Sequence, residues 1–465
     1  MHWKKSDLLF LPVGGSEEIG MNANLYHYED KWILIDLGIS FPDETDLGID
    51  VLLPDFEFIK SLGDDFLGIF LTHGHEDHIG AIPYFADDIN CPVWGTSFTM
   101  ALLKRKLKEN NKEKKLKLNT LTINEQLKIG PFQIKAIQTS HSIPDPVSLL
   151  ISTKEGDIFH SGDWKLEKSF NLNEKTNIEN FRSIGASGIL AMVCDSTNAL
   201  VNGKTPSENI AYDGLFDTIK DRKGTVLVTC FSSNISRIKS ILDIALKTDR
   251  TVLVVGRAIL RAIDAAKEVG FLTDIPDLLS LKDLSLIPRS NVLIISTGSQ
   301  GEPNSALSRI SKDTDKFIKL IKGDTLIFSS RKIPGNENAI LKVQNRFLER
   351  GIEIITDDDK NVHVSGHPSR DELIEMYSYI KPKISIPVHG TREHIEAHAD
   401  LASNCQVPNV IKPKNGEIIK LNANTPNAIS KIDFTTHVFD AGEIIPINNE
   451  TVSYTHLTLP TTPYV

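Results

Sequence analysis

The chain has 465 residues, 40% of them hydrophobic and 24% charged, with a formal net charge of −10. That length suits two or three domains of an ordinary globular protein, and the acidic balance excludes a global basic field, so any hold on nucleic acid must come from local patches and metals. Four scattered cysteines (Cys91, Cys194, Cys230, Cys405) form no Cys-x-x-Cys pair, and neither a signal segment nor a membrane-length apolar run is present; the expectation is a reducing, cytoplasmic setting and no membrane.

Residues 8–13 read as a first strand, followed by Gly14-Gly15 and Ser16 to Asn22. Asn22 to Tyr28 and Lys31 to Asp36 read as a hairpin around Glu29-Asp30. Asp43 to Asp50 is an acidic turn, a loop in solvent or a seat for a hard cation such as Ca²⁺. The apolar run Leu67 to Leu71 predicts a buried strand that ends at Thr72-His73-Gly-His75-Glu-Asp77-His78. Three imidazoles and a carboxylate on one loop suit Zn²⁺, with His73 and His75 facing one ion while Asp77 and His78 turn to a second. His-x-His-x-Asp-His is far more specific than a lone His-x-His.

Ser97 to Lys108 reads as a helix. Residues 104–117 carry eight basic and two acidic side chains, either a polyanion-attracting patch or a solvated helix end. Phe132 to Gln138 alternates as a strand and delivers His141; a strand pair over 147–159 ends at His160 to Asp163. Ile189 to Cys194 is a buried strand ending at Asp195-Ser-Thr-Asn198. From about residue 206 helices (210–220, 236–246, 258–269) alternate with strands (225–230, 251–255, 292–296, 325–329), the pattern of a parallel sheet covered on both faces. Its strand ends, Phe231 to Asn234, Thr297 to Glu302 and Ser329 to Arg331, offer hydroxyls, backbone N–H groups and one arginine that suit phosphate. Histidines return at His363 and His367, then a helix over 371–379 and a strand over 384–388 lead to His389. Asp163 and His389 lie 226 positions apart, far more than a loop needs, so a whole α/β domain is expected before the last ligand.

His73-Gly-His-Glu-Asp-His78, His141, Asp163 and His389 resemble the metallo-β-lactamase fold, and Asp195, His367 and His389 resemble motifs A, B and C of its β-CASP nuclease branch. Asp195-Ser-Thr-Asn-Ala, Ser233-Asn, Thr297-Gly-Ser-Gln-Gly-Glu-Pro, Ile333-Pro-Gly-Asn-Glu, His363-Val-Ser-Gly-His and Pro387-Val-His-Gly, in order from about 8 to 430, are similar to the ribonuclease J family. The resemblance implies an α/β architecture: an αββα sandwich over 1–203 and 351–430, with the β-CASP domain inserted over 204–350 and a linker or first strand of a further domain over 431–451. It implies two Zn²⁺ per subunit, one held by His73, His75 and His141, the other by Asp77, His78 and His389, with Asp163 bridging; Mn²⁺ also accepts such ligands. Asp77, Asp195 and His367 would be catalytic, His367 protonating the departing oxygen. Ser233, Asn234, His363, Val364, Ser365, Gly366 and His367 would take the RNA backbone and terminal phosphate. The family cuts single-stranded RNA internally and from the 5′ end, preferring a 5′-monophosphate, in RNA maturation and decay. The full-length chain would be a homodimer or homotetramer, with an RNA-decay complex as partner.

The sequence departs from the family pattern in three places: Ser16-Glu17 replace Val-Gly, Ser236 stands where many members carry His, and Thr391 where Glu commonly follows His389-Gly. Residues 452–465 resemble a translated transposon end on a truncated gene, so His456 is not counted as a ligand. Two other readings remain. A small-ester hydrolase of the same fold would need no second α/β domain, and a non-catalytic RNA-binding scaffold would be expected to lose ligands that are all present. A DNA-directed nuclease of the same branch is a weaker variant.

Overall fold

The computed structural model describes residues 3–42, 49, 51–167, 177–273, 275–333, 335–440 and 442–448. The Asp43–Asp50 turn falls mostly outside these residues, and 452–465 falls wholly outside them.

Two mixed sheets lie face to face. The first has eight strands, in the order Asn427–Lys431, Glu417–Lys420, Leu9–Gly14, Ala23–Tyr28, Lys31–Ile35, Phe66–Phe70, Val93–Gly95 and Leu118–Thr120. The second has seven: Asn409–Val410, Ile384–Val388, Ile189–Asp195, Gly156–His160, Val147–Thr153, Phe132–Gln138 and Gln126–Ile129. Phe10, Tyr26, Ile33 and Phe70 from one sheet meet Ile134, Leu149, Ile158, Val193 and Ile386 from the other in a shared core. The strands are apolar on both faces because helices cover the outer sides. Ser97–Glu109 packs on the first sheet through Phe98 and Leu102. Ile178–Ser187, Arg370–Ile380 and Arg392–Asn404 cover the second through Phe181, Leu373 and Leu401. This is the expected αββα sandwich.

Between Ile189–Asp195 and Ile384–Val388 the chain forms a five-stranded sheet of parallel strands: Thr251–Val255, Val292–Ser296, Val226–Thr229, Thr325–Phe328 and Glu353–Ile355. Val226 and Val228 face Leu215, Ile238 and Ile241 on one side, while Leu227 faces Leu307, Ile340 and Phe347 on the other. The strand Glu353–Ile355, which the sequence reading did not predict and which lies beyond its 350 limit for the insertion, pairs in this sheet. Helices over 178–187, 306–311, 337–348 and 392–404 were not read from the sequence.

Register places the strand ends. Asp195 pairs with Val388 and Val193 with His160, so Asp163, Asp195 and His389 emerge at one edge. Ile35 pairs with Phe70, which sets Asp36 beside Thr72 and His73. In the inserted sheet Thr229 aligns with both Ser296 and Phe328, so their following loops share one rim.

Residues 431–447 were expected as a linker or first strand. Lys431 ends the edge strand of the first sheet, and His437–Asp440 and Glu443–Pro446 form a hairpin paired with Leu52–Leu53. Of the basic run 104–117, Lys106 meets Glu76, Arg105 meets Glu268, and Lys112 and Lys115 share Asp87. Half of its cations are therefore tied within the fold rather than presented to a polyanion.

Candidate metal centre

Three side chains end in a tight cluster of ring nitrogens. His73 Nε2 lies 3.0 Å and His141 Nε2 3.1 Å from His75 Nδ1, and both lie within 3.7 Å of Asp163 Oδ2. Beside them, Asp163 Oδ2 is 3.2 Å from His78 Nε2 and 3.3 Å from His389 Nε2, which is itself 3.3 Å from Asp77 Oδ2. A tetrahedron with ~2.0–2.1 Å bonds to nitrogen has edges of roughly 3.3–3.4 Å, so both sets have the spacing of ligands around an ion. Asp163 belongs to both. His389 is 3% exposed; its Nδ1 has no hydrogen-bond partner, and its Nε2 meets only the carboxylate oxygens of Asp77 and Asp163, each at 3.3 Å. Two carboxylates converging on one buried ring nitrogen is an arrangement that a cation among them satisfies.

The ring orientations follow from acceptors behind them. Asp36 Oδ2 receives the His78 Nδ1 proton at 2.7 Å, and Gly366 O receives that of His141 at 2.7 Å. Thr72 donates its hydroxyl to Asp36 at 2.8 Å and therefore accepts from His73 Nδ1 at 3.0 Å. Each bond puts the proton on Nδ1 and leaves the Nε2 lone pair aimed at the centre. Gly38 allows the loop of Asp36 to come this close, since a Cβ there would sit 1.7 Å from Asp77 O. Asp36 and His389 hold left-handed backbones, φ 61° and 55°, the kind of strain that a well-supported site retains.

Charge divides the two sets. Burial holds His75 down at about 4 and keeps His73 and His141 well below the usual imidazole range. Burial also opposes charge on His389, but Asp163 and Asp77 raise it to about 10. One set is thus neutral imidazoles with a carboxylate; the other carries two carboxylates.

His367 stands at the mouth, its Nδ1 2.8 Å from Asp195 Oδ2. Burial works against its protonation, but Asp195 and Asp163 outweigh it and raise its pKa. Of the other expected pocket residues, Ser365 binds Asn198 at 2.9 Å, and Ser233 is half-buried. Val364 is buried, and Gly366 packs on the His141 ring. Asn234 is 2% exposed and uses Oδ1 to cap helix Ile235–Lys247. The sequence reading missed Asp36, Thr72 and Asn198. Asp36 could have been found by the rule that found the others, since it ends an apolar strand.

Of the three departures, Ser16-Glu17 pair with Gly390-Thr391 beside His389. Ser236 is fully buried with no partner for its hydroxyl, and Thr391 bonds His394 at 2.6 Å.

The sequence matches the family profiles of the metallo-beta-lactamase superfamily over 20–175, the ribonuclease J beta-CASP domain over 223–347 and the Zn-dependent metallo-hydrolase RNA specificity domain over 351–413. It is 40% identical over 445 residues to ribonuclease J of Sinorhizobium meliloti, covering 94% of this chain and 78% of that protein. The chain belongs to the ribonuclease J family. Ribonuclease J of Synechocystis is 35% identical, with 94% of this chain and 69% of that protein covered; that of Helicobacter pylori is 34% identical, with 90% and 61% covered. A crystal structure of an Enterococcus faecalis protein of unknown function shares the fold, with a TM-score of 0.64 at 17% identity over 90% of this chain and all of that one. Membership of the ribonuclease J family, with the two donor sets, makes the chain a metal-dependent nuclease that acts on RNA. Among the described residues, no helix is long and apolar enough to cross a membrane.

Proposed function

We propose that the chain is a two-zinc ribonuclease that degrades single-stranded RNA from a 5′-monophosphate end and also cuts internally. The observation that carries this reading is the pair of donor sets joined at Asp163, with His367 on Asp195 beside them. His73, His75 and His141 would hold one ion and Asp77, His78 and His389 the other, with Asp163 within reach of both. When bound, the ions supply Lewis acidity that makes water a better nucleophile and offsets negative charge on a phosphate. Asp195 orients His367 and favours its protonated form, and His367 gives its proton to the departing 3′ oxygen. Ser233, Asn234, His363, Ser365 and the backbone of 364–366 receive the RNA backbone. Burial, with Arg237, Lys165 and Arg331 nearby, keeps His363 well below the usual imidazole range, so it meets the strand as a neutral ring. Mn²⁺ fits the same donors. The domain division follows the sequence reading, catalytic domain over 1–203 and the part before residue 430 and insertion from 204, with the insertion's end moved from 350 to beyond the strand Glu353–Ile355. We place the protein in the cytoplasm, as a homodimer or homotetramer at full length, with an RNA-decay complex as partner.

The test is digestion of one 5′-labelled single-stranded RNA, as monophosphate and as triphosphate, by zinc-loaded protein and by His75→Ala. Labelled mononucleotide released from the monophosphate form alone, and lost in the variant, is the expected result. Internal cuts on both forms would assign the chain to endonuclease action. No metal-dependent cleavage of either form would overturn the reading.

A further inference from the structure

Along residues 362–367 burial alternates: Val362, Val364 and Gly366 are buried, while His363, Ser365 and His367 are half-buried. That alternation presents the second group to the open side of the segment. Ser365 Oγ takes two hydrogen bonds, from Asn198 Nδ2 at 2.9 Å and from its own chain at His367 N at 3.2 Å. A hydroxyl has two acceptor positions and one hydrogen. With both positions filled, Ser365 can only donate.

The direction of the Asn198 bond is fixed from further out. Arg331, on the rim of the inserted sheet, donates from Nη1 to Asn198 Oδ1 at 2.9 Å. A guanidinium has no acceptor, so this contact settles which end of the amide is oxygen. The other end, Nδ2, then gives its hydrogens to Ser365 Oγ and to His367 O at 3.1 Å. Asn198 is 3% exposed and has no capacity left to rearrange.

We infer that Arg331 and Asn198 are positioning residues that commit the Ser365 hydroxyl to donation, so that this place on the rim accepts a phosphate oxygen and disfavours a hydroxyl. The inference rests on the reading that the 363–367 row receives RNA phosphate. It adds how the preference is set: by a relay from the inserted domain, through the loop after Asp195, to the segment that carries His367. A phosphate oxygen only accepts, so it suits a site that only donates, whereas a hydroxyl needs an acceptor as well.

The experiment is a double-mutant cycle on 5′-monophosphorylated RNA with zinc-loaded Ser365→Ala, Asn198→Asp and the double variant. Asn198→Asp keeps the shape but replaces a donor by an acceptor, which draws the Ser365 hydrogen away from substrate. Each single variant is expected to raise KM at least tenfold; kcat stays within about threefold in Ser365→Ala, while Asn198→Asp, which also loses the bond to His367 O, lowers it further. The double variant is expected to match the singles in KM rather than multiply them. Multiplicative effects would mean that aspartate acts by repelling phosphate, and would overturn the relay while leaving the pocket standing. No KM change in Ser365→Ala would overturn the pocket reading itself. Arg331→Gln supplies the second check, since a glutamine can be approached by either end of the Asn198 amide. Its expected result is a KM rise that vanishes in the Ser365→Ala background; a rise that persists there refutes the relay.

Discussion

Gly366→Ala tests how closely the segment before His367 is fitted to the metal centre. A Cβ at this position would lie 2.7 Å from both Cε1 and Nδ1 of His141 and 2.9 Å from Ser142 Oγ. Ordinary carbon contacts are about 3.5–4.0 Å, so the ring or the segment must move by roughly 1 Å. Moving apart also lengthens the 2.7 Å bond from His141 Nδ1 to Gly366 O that aims Nε2 at the metal. Loss of such support costs ~10–100-fold in metal affinity, or about 1.4–2.7 kcal/mol, and a ~1 Å misplacement near reacting groups costs ~100-fold in rate. The assay is zinc competition against a chelator of known affinity at fixed pH, followed by kcat on RNA at saturating metal. Zinc affinity and kcat both within twofold of wild type would refute the argument, because they would mean that His141 does not depend on this contact.

Asp36→Asn places an amide N–H₂ or a single oxygen where two donors, Thr72 Oγ1 and His78 Nδ1, now share Oδ2; metal affinity at the set containing His78 should fall ~10–100-fold, read by the same competition. His367→Gln should lower kcat by ~10²–10⁴ while bound metal, measured by atomic absorption, stays at the wild-type amount; loss of metal would reassign His367 as a ligand. His398 is fully buried between Ser196 Oγ at 2.8 Å and Tyr377 OH at 2.9 Å, and burial holds its pKa at about 4. A depressed imidazole favours the neutral ring, so its stabilisation is present above about 6.5 and is lost as pH falls from there through 4. At 1.36 kcal/mol per unit, that amounts to about 3 kcal/mol. His398→Gln should be less stable at pH 7 but lose about 3 kcal/mol less than wild type on acidification, by urea unfolding; parallel pH profiles would count against it.

The candidate ligands were legible because they follow the ends of apolar strands, and because His73, His75, Asp77 and His78 fall within six residues, across the turn after Phe66–Phe70 and the short helix Glu76–Ile79. The inserted sheet was legible from its runs of β-branched residues: Thr251–Val255 and Val292–Ser296 fall at the expected bounds. What escaped depended on partners distant in the chain. Asp36 has meaning only beside His78, 42 positions on. Arg237 reads as an ordinary helix arginine, yet it is fully buried against Glu208 at 2.8 Å. Lys106 looked like part of a basic patch until Glu76, 30 positions earlier, came within 2.6 Å. Helix Arg392–Asn404 carries charges through its first turns, which masked the face that Ile395, Ala399 and Ala402 bury.

His389 is the last of the candidate ligands to be made, and it is tied to an early stretch of the chain: its N–H donates to Gly15 O at 2.6 Å, and Ser16 pairs with Gly390. During synthesis His73, His75, His141 and Asp163 are all present 226 residues before His389 appears. At ~5–20 residues per second, that is a wait of roughly 10–45 s. The first donor set is therefore complete while the second still lacks an arm. For a protein that breaks RNA, full assembly of the site is deferred until the whole inserted domain has been made.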